Sequence, residues 1–247
     1  MTSLQLSPTA PMQDESPQSE VPIIREGGLS LPNMTCPTGL EYLTVLDYLG
    51  IRLKNTIEVD HFWDAKNEFF VLNIRGETIF NVMEQSDWWG RLCLGASRTC
   101  EFHVTDTYGR EVLRMVQPFT CSFQKLQVYS EDILLGSVSQ NCFFLRPTFS
   151  INDSTGKTVL KLKGPRFPSC NNIIVYKIKS ADDKHKVGQI KITFKMLNYF
   201  VPFTDITTGD FNINFPLDLD VKIKSVLLGA CFLLDLFYKR RRQSILL

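Results

Sequence analysis

The stretch that decides the fold lies close to the C-terminus and reads FPLDLDVKIKSVLLGACFLLDLFYKRRR, residues 215–242. Its central part, residues 225–234, carries no charge, and Asp235 is the first charged residue after it. An apolar run of this length is short for a membrane span, which needs about 20 apolar residues, and is typical of a helix buried inside a protein. Because apolar residues fall on every face of such a helix, the sequence predicts that other parts of the chain surround it.

The overall composition is that of an ordinary globular protein. Of the 247 residues, 44% are hydrophobic and 21% are charged, and the formal net charge is +1. A near-neutral chain offers no general attraction for nucleic acid or anionic lipid, so such binding would need a local patch. The seven cysteines are scattered without a C-x-x-C pair, which indicates neither a disulfide framework nor a zinc site. No catalytic motif stands out, so we do not expect an enzyme.

The N-terminal residues differ in composition from the rest of the chain. Residues 1–33 are rich in Ser, Pro, Gln and Glu, which predicts a disordered tail, and they lack the pattern of a secretory signal. Within this tail, Pro8-Thr9-Ala10-Pro11 is similar to the motif by which some proteins engage membrane-budding machinery, a hypothesis for a protein partner. We expect one domain at 34–238, with its helix at about 219–238, and a basic tail at 239–247.

An internal repeat indicates how the remaining chain folds. FHVTDTYGREVLRMVQP (102–118) aligns without gaps to FSINDSTGKTVLKLKGP (149–165), and a weaker copy begins at Phe70. Each copy predicts a β-hairpin, in which an Asp opens the turn and a Gly supplies a positive φ. Repeated antiparallel hairpins can close into a barrel, which removes exposed strand edges. A barrel of this kind would surround the apolar helix.

Three segments resemble the phospholipid scramblase family: CPTGLEYL from Cys36, the repeated hairpins, and FPLDLDVKIKSVLLGACFLLD from Phe215. The resemblance covers residues 34–238 and implies a tubby-like fold, a closed antiparallel β-barrel of about twelve strands around a central hydrophobic C-terminal α-helix. It also implies calcium-dependent, ATP-independent movement of phospholipids in both directions across a bilayer. The alternative is a tubby-like module that binds a membrane, protein or DNA and moves no lipid.

The resemblance also implies a calcium site in the segment before the helix. Calcium takes six to eight oxygen ligands, and wider carboxylate spacing than the family's predicts weak binding, at about 10⁻⁴ to 10⁻³ M. The alternative is that Asp218 or Asp220 caps the helix N-terminus. The candidate ligands are Asp205, Asp210, Asn212, Asn214 and Asp218.

Two cysteines are lipidation candidates by the same resemblance. Where the family carries a dense cysteine run that is palmitoylated, this chain has Cys121, and an earlier cysteine cluster leaves Cys93. One acyl chain gives only marginal membrane residence, and the alternative for Cys121 is an ordinary loop or core thiol. The family's usual location is the cytoplasmic face of the plasma membrane, with the nucleus as the alternative.

Two basic stretches complete the candidate sites. Lys239, Arg240, Arg241 and Arg242 follow the predicted helix and could attract anionic headgroups or serve nuclear import. They argue against the family's single-pass topology, in which a transmembrane helix would place them outside the cell. The second stretch, 188–197, matches a DNA-contact segment of the family, but its period-two pattern favours a strand with one solvated face. Nucleic acid is therefore not an expected partner.

Overall fold

The computed structural model describes residues 36–54, 67–86, 99–119, 123–141, 146–166, 172–194 and 209–246, with side chains as far as residue 240. The tail expected at residues 1–33 lies outside these ranges. The residues from Cys36 onward belong to one compact unit. Its elements in chain order are a 3₁₀ helix (Glu41–Val45), β1 (Tyr48–Leu53), β2 (Glu68–Leu72), β3 (Thr78–Ser86), β4 (Cys100–Asp106), β5 (Glu111–Gln117), β6 (Lys125–Ser130), β7 (Ile133–Asn141), β8 (Thr148–Asp153), β9 (Thr158–Lys163), β10 (Ile173–Ser180), β11 (Lys186–Thr193), β12 (Asp210–Asn214) and α1 (Val221–Leu246).

All twelve strands belong to one antiparallel sheet that closes on itself. Each strand pairs with its neighbours in the chain, and β1 also pairs with β12, which places Tyr48 opposite Asn214 and Ile51 opposite Phe211. Closure satisfies the backbone groups that an open edge would leave unpaired. The predicted fold class, a mainly β protein with a closed barrel of about twelve strands around a C-terminal helix, is confirmed.

The hairpin β4–β5 shows why the repeated sequence folds as it does. Asp106 ends β4, and its Oδ1 accepts hydrogen bonds from the backbone N–H groups of Tyr108 and Arg110, both at 2.9 Å. Gly109 donates its N–H to the Asp106 carbonyl at 3.0 Å and has a φ of 79°, a conformation that favours glycine. The aspartate and the glycine together close the turn.

The other two copies of the repeat form the same turn. In β8–β9, Asp153 Oδ1 accepts from the N–H groups of Thr155 at 2.9 Å and Lys157 at 3.0 Å. In β2–β3 the residue that opens the turn is Asn73, and its Oδ1 accepts from two backbone N–H groups in the same way. The pairing register shifts just before each of the three turns, so the repeat predicted from sequence is a structural repeat.

The two ends of the barrel differ. The short turns of β2–β3, β4–β5, β6–β7, β8–β9 and β10–β11 all lie at one end, together with the 3₁₀ helix and the start of α1. We call this the turn end. The opposite end, here called the open end, is where β1, β3, β5, β7, β9 and β11 finish and the strands that follow them begin. Antiparallel connectivity alone fixes this arrangement.

The helix α1 runs through the barrel from the turn end to the open end. Every residue from 226 to 234 is buried, and the ring of Phe232 packs against Phe69 and Phe102 with centroids 5.3 and 4.8 Å apart. Gly229 allows close approach to the wall, since a Cβ there would lie 2.8 Å from a methyl group of Val128. The prediction that the sheet surrounds the apolar segment is therefore confirmed.

The helix begins close to the expected residue 219 but extends beyond the expected end at residue 238. Helix α1 begins at Val221 and ends at Leu246, so most of the segment expected as a basic tail at 239–247 is helical. The resemblance also implied a transmembrane helix, and this is not found: none of the helices in the described part of the chain is both long and apolar enough to cross a membrane.

Candidate functional site

The segment expected to bind calcium divides between a strand and the entry to the helix. Residues 210–214 form β12, in which Phe211 and Ile213 face the core and Asp210, Asn212 and Asn214 alternate with them. Along an extended strand, Asp210 and Asn214 are about 13 Å apart, because each residue advances about 3.3 Å. The structure therefore does not bring these two side chains around one ion.

Arg52 on β1 occupies the position at which a cation would meet β12. Its Nε lies 3.3 Å from Asp210 Oδ2, and one terminal nitrogen donates to Asn212 Oδ1 at 3.0 Å. The other terminal nitrogen donates to the Phe211 carbonyl at 3.1 Å. The Tyr48 hydroxyl also donates a hydrogen bond to Asn212 Oδ1, at 2.5 Å. These bonds cross the β1–β12 seam where the barrel closes.

The oxygen atoms that the structure describes in this segment fit the Arg52 guanidinium better than a calcium ion. Calcium needs six to eight oxygen ligands at about 2.3–2.6 Å, and two of the candidates already bind Arg52. Within the described ranges, no group of three or more His, Cys, Asp or Glu side chains is placed to hold a metal. Asp205 lies outside those ranges, so the calcium site stays a prediction.

The residues just before α1 cap the N-terminus of the helix, which is the alternative to a calcium site in this segment. Asp220 Oδ1 accepts hydrogen bonds from the N–H groups of Lys222 at 2.7 Å and Ile223 at 3.3 Å. These are among the donors that lack a partner in the first turn of a helix, and a carboxylate there also favours the positive end of the helix dipole. Asp220 is the N-cap, and Asp218 lies outside the helix in the preceding turn.

Sequence reasoning missed the buried lysine of the helix. Lys224 is fully buried, and its ammonium donates to the carbonyl oxygens of Leu43 and Leu46 at 2.8 Å and of Leu217 at 2.7 Å. Burial lowers the pKa of Lys224, an effect that Asp218 and Asp47 oppose. The ammonium fastens the 3₁₀ helix and the β12–α1 connection to the helix, which seals the turn end.

The basic stretch 239–242 begins inside the barrel. Lys239 is 8% exposed and its ammonium lies 2.8 Å from Asp235 Oδ2, one turn earlier on α1. Lys239 is therefore paired within the helix. Arg240, the next residue, is half-exposed at the open end. The side chains of Arg241 and Arg242 lie outside the described residues.

The lipidation candidates Cys93 and Cys121 lie outside the described residues, as does the Pro8-Thr9-Ala10-Pro11 motif. The strand ends that flank the two cysteines in the chain belong to the open end. Phe119 and Phe123, on either side of Cys121 in sequence, are 51% and 46% exposed. Exposed aromatic side chains beside an acylation candidate are consistent with a membrane-facing end.

Comparison with known proteins shows that this chain is similar to members of one family. The scramblase family model matches residues 27–241. Phospholipid scramblase 2 of Bos taurus is 36% identical over 218 residues, which cover 84% of this chain and 73% of the relative. Phospholipid scramblase 1 of Mus musculus is 35% identical over 222 residues, 85% of this chain and 66% of the relative, and that of Homo sapiens is 33% identical over 217 residues, 84% and 67%. Between about a quarter and a third of these relatives' length is therefore not spanned. No solved structure matches.

Proposed function

This chain belongs to the scramblase family, and on that premise we propose that it moves phospholipids between the two leaflets of a membrane, in both directions and without ATP. The supporting observation is the family match, which spans all twelve strands and most of α1. Lipid movement of this kind forms and breaks no covalent bond, so the protein is not expected to act as an enzyme.

We place the membrane contact at the open end of the barrel. Phe119 and Phe123 are exposed there, and Arg240 adds a positive charge that attracts anionic headgroups. Acylation of Cys93 and Cys121 would supply the two anchors that stable membrane residence requires. The proposed location is the cytoplasmic face of the plasma membrane.

We further propose that the barrel stays closed while it acts. Withdrawal of α1 would expose the apolar lining of the barrel to water as well as the helix itself. Each fully buried Leu, Val or Phe side chain contributes about 1.5–3 kcal/mol, and more than a dozen line the barrel around the helix. Distortion of the adjoining bilayer by a closed barrel avoids that cost.

Liposomes that contain a leaflet-specific fluorescent lipid test the transport. We expect the purified protein to speed exchange of the labelled lipid between leaflets relative to protein-free liposomes. Phe119→Ser with Phe123→Ser should reduce this rate and membrane binding. The matched control, Tyr42→Ser with Val45→Ser, removes exposed apolar side chains at the turn end and should change neither. Membrane binding without faster exchange would indicate a tubby-like interaction module instead.

Calcium sensitivity is a separate part of the proposal. We expect calcium to bind only in the range of about 10⁻⁴ to 10⁻³ M, because Arg52 competes for Asp210 and Asn212. Replacing Arg52 with Gln removes the guanidinium that competes with calcium at both side chains, so calcium should raise the melting temperature of this variant more than that of the wild type. An equal shift in both proteins would place any calcium site elsewhere.

A further inference from the structure

The outer wall formed by β9, β10 and β11 carries lysines without carboxylates. The three strands read TVLKLK, IIVYKIKS and KVGQIKIT, and none contains Asp or Glu. Residues that alternate with the lysines, such as Leu162, Ile178 and Ile192, are buried, so the pleat turns the lysines outward. We call the six exposed or half-exposed lysines the lysine wall: Lys161, Lys163, Lys177, Lys179, Lys186 and Lys191.

Several of these lysines face one another directly. Lys177 on β10 pairs with Lys163 on β9, and Lys179 pairs with Lys161 on one side and Lys186 on the other. Side chains directly opposite on neighbouring strands have Cβ atoms about 4.5–5.5 Å apart, and like charges in these positions destabilise a sheet. The arrangement therefore needs an explanation other than stability.

Within the part of the chain that the structure describes, only part of this repulsion is relieved. Asp183, in the turn between β10 and β11, accepts a hydrogen bond from Lys163 and lies 3.2 Å from the Lys179 ammonium. Among the ion pairs of the described residues, none reaches the remaining lysines of the three strands. These are Lys161, Lys177, Lys186 and Lys191.

Two common roles for surface lysines do not account for the wall. Lysines often protect the edge strand of an open sheet, but a closed barrel has no edge to protect. Lysines also keep proteins soluble, but a surface that serves solubility alone usually intersperses both signs of charge. A single-sign field of this extent is typical of a surface that attracts a polyanion.

Aliphatic side chains on the same wall indicate which polyanion it fits. Ile173 and Val175 are 37% and 39% exposed on β10, and Val175 lies directly opposite Lys191. Both lie towards the open end of β10, where the wall meets that end of the barrel. Phosphate groups of a nucleic acid make no use of such residues, whereas a bilayer surface accepts cations at its headgroups and aliphatic groups below them.

We propose that the lysine wall docks the barrel on a bilayer that contains anionic phospholipid. The lysines contact the headgroups, and Ile173 and Val175 enter the interfacial region at the open end. The proposal adds a lipid class to the proposed function, on which it rests in part. Vesicle binding is measured without lipid movement, so the two can fail separately.

Co-sedimentation with phosphatidylcholine vesicles, with and without phosphatidylserine, tests the proposal. The wild type should bind only the vesicles that contain phosphatidylserine, less tightly as salt is raised. A surface lysine contributes about fivefold to such binding, so Lys177→Gln with Lys191→Gln should weaken it about 25-fold. Arg75→Gln with Arg110→Gln removes the same charge from exposed positions at the turn end, outside the lysine wall, and should have little effect. Equal losses in the two double variants, or equal binding to both vesicle types, would overturn the proposal.

A second variant separates a bilayer from a nucleic acid. Ile173→Thr with Val175→Thr keeps β-branched side chains in the strand but makes them polar, so it should weaken vesicle binding and leave any DNA binding unchanged. Fluorescence anisotropy with a labelled DNA duplex provides the comparison. Tight DNA binding without vesicle binding would assign the wall to nucleic acid and contradict the proposal. Unchanged melting temperatures would show that each variant is folded.

Discussion

A single buried ammonium holds the turn end of the barrel together. Replacing Lys224 with Met keeps most of the side-chain volume but leaves the carbonyls of Leu43, Leu46 and Leu217 without their donor. An unsatisfied buried polar group costs about 1–3 kcal/mol, so Lys224→Met should lower the free energy of unfolding by about 3 kcal/mol or more. Urea denaturation measures this. Lys222→Met, on the half-exposed position two residues earlier, should change stability by less than about 0.5 kcal/mol.

The turn aspartates give the fold a dependence on pH. The Thr155 hydroxyl donates to Asp153 and, with backbone N–H groups, lowers the pKa of this carboxyl in the folded state. A lowered folded-state pKa stabilises the protein above the unfolded pKa of about 3.9, and the stabilisation is lost as pH falls through the folded value. Asp153→Asn should keep the turn, as Asn73 does, and should lack this loss. Urea midpoints at neutral and acidic pH, compared with wild type, report the difference, and a parallel decline in both would contradict it.

In helix α1, contact with the barrel wall outweighs the higher intrinsic helix propensity of alanine over glycine. In an exposed helix, Gly→Ala stabilises by about 1 kcal/mol. At position 229, however, the new Cβ would lie 2.8 Å from Val128 and 2.9 Å from Leu126, and overpacking of a core costs about 1–3 kcal/mol. We expect Gly229→Ala to lower the thermal unfolding midpoint. A raised midpoint would show that the wall adjusts to the methyl group without strain.

The elements that sequence predicted are those whose causes are local. The D-x-x-G turns were predictable because Asp106 and Asp153 bond to residues two and four positions later. The contacts of Lys224 were not predictable, because its acceptor Leu43 lies 181 residues away in the chain. The Arg52 contact with Asp210 depends in the same way on the register in which the barrel closes. Helix α1 continues beyond residue 238, where Lys239 pairs with Asp235 one turn earlier, a contact that the prediction of a basic tail did not include.

A barrel that stays closed shields the thiol of Cys231, which lies on α1 in its interior. Burial of Cys231 raises the pKa of its thiol well above the ordinary value, and thiolate is the reactive form. If the barrel stays closed during transport, Cys231 should resist maleimide on active liposomes as well as in solution. Mass spectrometry of the peptide that contains Cys231 measures the labelling in the wild-type protein. Faster labelling on liposomes than in solution would show that α1 leaves the barrel.

The helix that fills this barrel follows all twelve strands in the chain, and this order governs how the protein can be made. Strands leave the ribosome at about 5–20 residues per second, and none of them can bury its inner face until the segment after Asp220 has emerged. A nascent chain that stops short of Val221 contains all twelve strands but lacks the helix that packs against their apolar inner faces. We therefore expect folding to wait until α1 has been synthesised, with chaperones holding the apolar strands in the meantime.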